Sequence, residues 1–368
     1  MRRVVVVEET EAHRCPDVVW ATTILTTIQR ENQQRKVRKQ ATLIQQESAV
    51  EERMSFPHVK TIAGALDAAA LKFPTHRALV SPLQSANYKT SFTYQELRQT
   101  SNALAGFLNL YGYERHDLLV SDLPNTSENL LLQLACNRLG VHYGTAKNLE
   151  SMAAQFTKVK GAVAATASGF LAETNLPLPF LDGDFLVDLI HNGGLREFTL
   201  EDKDQEDLDG AEQVPHAFYN SKTGYTNQQA LQHGLEAADQ LKMSQEDVVC
   251  ISITLCHAFG MGSAVCSSLQ RGSCIVLPAV GGIQGCGVPS ERAKATFDVL
   301  ESEKCTLLFA DTHTLKALPP ALAPDKADPT KEQRYLPHLR GGICKVGSGS
   351  DFLYETTFYG GIELKTMG

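Results

Sequence analysis

From residue 61 onward, short apolar runs alternate with amphipathic helical stretches, and that alternation leaves few folds open. Residues 61–73 place Ile62, Leu66, Ala69, Ala70 and Phe73 on one helical face. Residues 77–81 read as a strand. Thr93 with Glu96 three positions on forms a capping box, and the helix it opens runs through Leu104 and Phe107 to a stop at Gly112. The same reading predicts a strand over 118–123, a helix over 127–139, a strand from Gly140 to Gly144 and a strand over 161–165. It continues with a helix over 227–242, strands at 248–253 and 274–278, and helices at 262–270 and 292–303. A strand over 306–310 closes the series. Strands separated by helices must run parallel and be covered on both faces, because each crossover lays a helix across the sheet. The expected fold is therefore α/β with mostly parallel sheets, in two subdomains over 56–212 and 213–368. The first ends in an acidic linker at 201–212 that carries Glu201, Asp202, Asp204, Glu206, Asp207, Asp209 and Glu212.

Ahead of these lies an extension, residues 1–55. From Asp17 to Arg53 it contains no Gly or Pro, and Asp17 after Pro16 suits a helix N-cap, so one long helix is expected. Trp20, Ile24 and Ile28 recur at helical spacing, and Arg30, Arg35, Lys36, Arg38 and Lys39 face a single acid, Glu31. Two readings of that basic stretch stand: a solvated face, or a docking face for an acidic partner or a membrane surface. A net charge of −8 argues against a nucleic-acid binder. No run approaches the ~18 apolar residues of a membrane span. The nine cysteines lack a paired Cys-x-x-Cys, and Cys250, Cys256, Cys266 and Cys274 lie in or beside apolar runs as buried thiols. No metal-ligand cluster and no Gly-x-Ser-x-Gly appears.

The order of several short blocks carries a resemblance. Phe92-Thr93-Tyr94-Gln95-Glu96-Leu97, then His116-Asp117-Leu118-Leu119, Leu123-Pro124-Asn125 and Leu139-Gly140 follow one another. Phe218-Tyr219-Asn220-Ser221-Lys222-Thr223-Gly224-Tyr225-Thr226-Asn227-Gln228 comes next, before Leu255-Cys256-His257-Ala258-Phe259-Gly260-Met261-Gly262. Leu308-Phe309-Ala310-Asp311-Thr312-His313-Thr314 and Leu339-Arg340-Gly341-Gly342-Ile343 complete the set. In this order they resemble the adenylate-forming superfamily (acyl-CoA synthetases, luciferases, peptide-synthetase adenylation domains), and within it the medium-chain fatty acyl-CoA synthetases. The resemblance implies the large N-terminal domain of an acyl-CoA synthetase-like fold, with ATP, AMP, Mg2+ and CoA as the family's cofactors.

The departures are as informative. In the family the loop reads aromatic-Thr-Ser-Gly-Thr-Thr-Gly-x-Pro-Lys-Gly and binds ATP phosphates. Thr223 and Gly224 match it, but the first Gly falls on Ser221, the Pro on Thr226, the Lys on Asn227 and the last Gly on Gln228. Glycines let backbone N–H groups approach an anion, and the Lys supplies a point charge. Ser221, Lys222, Thr223 and Gly224 thus form a degenerate phosphate loop, with Lys222 its remaining cation. The resemblance makes His257, Phe259 and Gly260 candidates for the wall of an acyl pocket. A Cys256–His257 dyad and an Asp311–His313 base pair are weaker alternatives to structural roles. Tyr359-Gly360-Gly361-Ile362-Glu363 is either a vestige of the family's adenylate motif or a chance match. The sequence stops at Gly368, and the family's ribose-binding Asp, hinge and C-terminal lid domain with its catalytic Lys have no counterpart in it.

Adenylation needs positive charge at the α-phosphate. With the loop Lys replaced, no catalytic residue is assigned. The expectation is a catalytically inactive synthetase-like protein acting as a subunit of a larger assembly, contacted through residues 1–55 and the truncated sheet edge. Two alternatives remain: a module that binds an acyl or acyl-CoA ligand, and a true ligase completed by a partner chain. Met1-Arg2-Arg3 and the basic helix suit a mitochondrial location, with the cytoplasm as the alternative.

Overall fold

The computed structural model describes residues 59–82, 88–145, 160–164, 180–198, 217–220, 223–255, 257–278, 289–318, 336–345, 358–359 and 362–367. The chain divides into two units, Met1–Ser55 and Phe56–Gly368. The expected N-terminal helix and the acidic linker fall outside the described residues.

The second unit opens with helix α1 (Ile62–Lys72), capped by the Thr61 hydroxyl, which accepts the Gly64 amide at 2.9 Å. Strands β1 (Arg77–Val80) and β2 (Ser91–Thr93) follow, then α2 (Tyr94–Leu110), whose Thr93–Glu96 capping box has both of its hydrogen bonds. Next come β3 (Leu118–Ser121), α3 (Ser127–Leu139), β4 (His142–Thr145), β5 (Gly161–Ala164), β6 (Phe180–Asp182) and α4 (Gly183–His191). Helix α3 stops at Gly140, where φ is +69°, a backbone state a side chain would strain. Strands β7 (Phe218–Asn220) and β8 (Thr223–Tyr225) lead into α5 (Asn227–Leu241) and β9 (Val248–Ser252). A π-helix (Ala258–Val265) runs on into α6 (Cys266–Arg271), before β10 (Cys274–Val276), α7 (Pro289–Ser302), β11 (Leu307–Asp311) and α8 (Thr312–Ala317). Strands β12 (Gly341–Lys345), β13 (Phe358–Tyr359), β14 (Ile362–Glu363) and β15 (Lys365–Met367) end the chain's described elements.

Two large sheets organise most of these elements, and β13 pairs with β14 in a separate two-stranded sheet. The larger has the order β15-β12-β11-β9-β10-β1-β2, and the smaller β6-β5-β3-β4-β7-β8. Every pairing in both is parallel except β1–β2 and β7–β8, each at an edge. Neither sheet keeps to one side of residue 212. Strands β1 and β2 leave the first half of the chain to join the larger sheet, and β7 and β8 leave the second half to join the smaller. Two subdomains cut at 212/213 therefore do not describe how the sheets are built. Parallel pairing follows spatial order, which local sequence does not carry.

Alternation along the strands sends side chains to two cores. From β9 and β11, Val249, Ile251, Leu307 and Phe309 enter one core with α1, α2, α3 and α5, a helical layer that also receives Leu119 and Tyr143 from the smaller sheet. Cys250, Leu308 and Ala310 point the other way, onto Phe297 of α7 and Leu315 of α8. That two-faced burial is why these strands read as continuous apolar runs. The thiols of Cys250, Cys266 and Cys274 are buried and free, and burial pushes Cys274 up to about 12.

Arg340, just before β12, ties the larger sheet to the end of α5. Its guanidinium bonds both Asp247 oxygens at 2.8 and 2.7 Å and the Leu241 carbonyl at 2.9 Å. Burial alone would raise the Asp247 carboxyl, but Arg340, the Ser244 amide and the Thr306 hydroxyl outweigh it and hold it below the usual carboxylate range. A depressed carboxyl stabilises the fold above the unfolded value of about 4 and loses that contribution as pH falls through its folded value. Wild-type protein and Arg340→Met are thus expected to differ in urea midpoint at pH 7. The gap should close progressively below about pH 4, which urea titrations across pH would show.

Candidate functional site

The phosphate-loop stretch folds as a β-hairpin. Tyr219 faces Gly224 and Asn220 faces Thr223 across β7 and β8, and Ser221 and Lys222 lie between them, outside the described residues. Thr226, at the family's Pro position, is the N-cap of α5: its hydroxyl accepts the Gln229 amide at 3.1 Å, and the Gln229 side chain accepts the Thr226 amide at 2.9 Å. The pattern Thr226-x-x-Gln229 was a readable capping box that the comparison with a phosphate loop obscured.

Asn227, at the Lys position, is 4% exposed. Its Oδ1 accepts the Ile62 amide at 3.0 Å and the Asn137 Nδ2 at 2.8 Å. Asn137 Oδ1 in turn accepts the Ala63 amide at 2.9 Å. With Thr61, the two asparagines satisfy the amides that open α1. A residue that would present charge to a nucleotide thus stands as a buried joint between α1, α3 and α5. Gln228, at the last Gly position, is exposed.

The second group of candidates lies beyond the carboxyl end of β9, the edge where open parallel sheets bind ligands. The chain there is held by polar side chains from the smaller sheet's side. Asn125 Nδ2 donates to the Ile253 carbonyl at 2.7 Å, and its Oδ1 accepts the Leu255 amide at 2.8 Å. Asn129 links the Tyr143 hydroxyl and the Gln133 amide into the same support. This segment delivers His257 as the N-cap of the π-helix, its Nδ1 accepting the Phe259 amide at 3.1 Å. Phe259 is buried and its ring lies 5.6 Å from that of Phe309. Lys345, the last residue of β12, places its Nζ against the His257 ring, 3.2 Å from Nδ1 and in contact with Nε2. Burial first, and the Lys345 charge second, push His257 down to about 4, so the ring is neutral at pH 7. Lys345 escaped sequence reasoning, because nothing in Gly-Gly-Ile-Cys-Lys marks which strand end it reaches.

Gly260 has a packing reason to be glycine. A Cβ there would lie 2.1 Å from the Thr254 carbonyl oxygen. The π-helix also begins at Ala258, earlier than the helix expected from residue 262, because this close approach lets Gly260 enter the helix rather than precede it. Gly260→Ala is expected to cost about 1–3 kcal/mol, read from a chemical denaturation curve.

The other candidates separate. Asp311 caps α8 through the Thr314 amide at 2.7 Å, and both its oxygens accept from Arg292 Nη2, at 3.0 and 2.9 Å. It therefore works with Arg292 and Thr314, while His313 is exposed. Cys256 lies outside the described residues. Tyr359 and Ile362 pair across a short antiparallel hairpin, with Glu363 exposed. A buried pair that sequence reasoning missed joins Glu128 of α3 to His191 of α4, with side chains 2% and 0% exposed. Burial would raise Glu128, but His191 and Thr126 hold it below the usual range. Among the described residues no group of three His, Cys, Asp or Glu is placed to hold a metal, and no helix is long and apolar enough to cross a membrane.

Among solved structures, the N-terminal domain of FACL13 from Mycobacterium tuberculosis superposes with a TM-score of 0.60 at 15% identity, covering 83% of this chain and 75% of that one. The fold is that of the N-terminal domain of an acyl-CoA synthetase. The N-terminal subdomain of Klebsiella oxytoca NpsA, solved in complex with 3-hydroxybenzoyl-AMSN, gives 0.54 at 13% identity over 78% of this chain and 66% of that one. By sequence, the 4-coumarate–CoA ligase 2 of Petroselinum crispum is 23% identical over 207 residues, covering 51% of this chain and 38% of the relative. The match thus spans well under half of that enzyme. No family model matches the chain. The adenylate-forming resemblance and the α/β fold it implied hold at the level of these domains.

Proposed function

We propose that this protein is a catalytically inactive relative of the acyl-CoA synthetases that serves as a structural subunit of a larger, mitochondrial assembly. The observation that carries the reading is Asn227. At the loop position where the resembled family holds a phosphate-binding lysine, the side chain is buried and its oxygen is committed to Ile62 and Asn137. A neutral amide turned into the protein stabilises no charge at an α-phosphate. Thr226 and Gln229 spend the adjoining positions on starting a helix. On this reading the ATP, Mg2+ and CoA sites of the family are not kept, and residues 1–55, with their basic stretch, are the attachment to other protein subunits.

Native purification of the full chain from its source, followed by mass measurement, tests the assembly. The protein is expected in a complex of several different chains, and deletion of 1–55 is expected to release it. Recovery of the full chain as a monomer would contradict the subunit role. A second reading, a module that binds an acyl ligand, draws on His257 beside the Phe259–Phe309 ring contact. It is favoured instead if a fatty acyl chain co-purifies with that monomer.

A further inference from the structure

Exposed apolar side chains gather at one place on the second unit. Leu110, which ends α2, is 72% exposed, the adjoining Tyr111 56%, and Phe185 in the first turn of α4 46%. Buried Phe107, one helical turn before Leu110 and Tyr111, joins the elements. Its ring lies 4.6 Å from that of Tyr111 and 6.3 Å from that of Phe185. The Phe198 ring, after the short turn Gly194–Glu197, meets it edge-on at 5.3 Å. A cluster of large apolar side chains left in water marks an interaction surface. The charges beside it are mostly of one sign. Residues 107–115, 183–191 and 194–198 carry Glu114, Asp184, Asp188 and Glu197 against Arg115 and Arg196, and all four acids are exposed.

We propose that this patch docks a basic amphipathic helix of a partner chain, apolar on one face and rich in arginine or lysine on the other. The rings and the acids around them select the same charge. The face of a Phe or Tyr ring is electronegative and attracts a guanidinium or ammonium set over it. The net negative rim attracts the same groups. That sign also disfavours the other occupants. A second copy meeting this face about a two-fold axis would bring the four acids against their own equivalents. Nucleic acid and anionic lipid carry the charge that the rim repels. The apolar floor is pre-positioned, because Phe107 is packed against Tyr111 and Phe198 before any partner arrives. The surface is separate from the attachment proposed for residues 1–55, and it serves a transient partner as well as a permanent one.

The test titrates the intact protein against a labelled helical peptide with leucine on one face and arginine on the other, followed by fluorescence anisotropy. Binding is expected to saturate and to weaken with salt. Phe185→Ser, and separately Glu114→Lys combined with Glu197→Lys, are expected to weaken it about tenfold or more. Leu71→Ser, which alters the 82%-exposed leucine of α1, should leave it unchanged. The same peptide with glutamate in place of arginine should not bind. No saturable binding, equal binding of the glutamate peptide, or an equal loss in Leu71→Ser would overturn the proposal. So would a dimer in sedimentation that Phe185→Ser dissolves, which assigns the face to a second copy, or Phe185-dependent binding to phosphatidylserine vesicles, which assigns it to a membrane. The arginine and glutamate peptides on wild-type protein decide the matter if a variant does not fold.

Discussion

Asn227→Lys, which restores the residue of the resembled phosphate loop, is expected to destabilise the protein by about 2–5 kcal/mol and to create no adenylating activity. The substitution removes one oxygen that two buried donors share, the Ile62 amide and the Asn137 Nδ2. Each donor left without an acceptor costs about 1–3 kcal/mol. The lysine adds a charge at a place that is 4% exposed, and its stem must bend out of the joint to reach water. Asn227→Asp keeps the shape and the acceptor, so it should lose less than Lys. Urea unfolding of the three proteins gives the ranking directly. An Asn227→Lys variant as stable as wild type would mean that the position tolerates a loop lysine, and the reading of Asn227 as a committed joint would fail.

Asp311→Ala is expected to cost about 3–5 kcal/mol, the loss that follows when one partner of a buried ion pair is removed. Arg292 and Asp311 are 5% and 12% exposed at their side chains, so the guanidinium left behind cannot rehydrate. The same change removes the cap of α8. Replacing both partners by apolar residues of similar volume should recover much of the loss, because the stranded charge is then gone. Denaturation of the single and double variants measures this. A double variant less stable than the single one by several kcal/mol would assign the cost to the missing cap and packing instead.

Long periodic segments were legible. Helices α1, α2 and α3 follow the spacing of their apolar residues, and the Thr93–Glu96 box opens α2 as its sequence implies. Some short elements were not, although the three-residue β10 was. Strands β2 and β6 have three residues each, and α8 has six, so none offers a period to read. Helix α8, absent from the expected elements, forms because Asp311 caps it, a signal visible only once β11 is known to end there. The site was legible in part. Loss of the loop lysine was plain from Asn227, but its new use was hidden, since its partners Ile62 and Asn137 lie 165 and 90 residues away. Lys345 likewise reaches His257 across 88 residues, through the pairing of β12 with β11 and β11 with β9.

On the proposed reading, the stretch that resembles a phosphate loop builds structure and does not handle ATP. Fatty acid-dependent ATP–pyrophosphate exchange on the intact protein, with medium-chain acids and Mg2+, tests it most directly. The expected result is exchange at the level of buffer alone, unchanged in Asn227→Ala and Lys222→Ala. Exchange above that level that requires the fatty acid and falls in Lys222→Ala would contradict it, and would make this chain a working ligase.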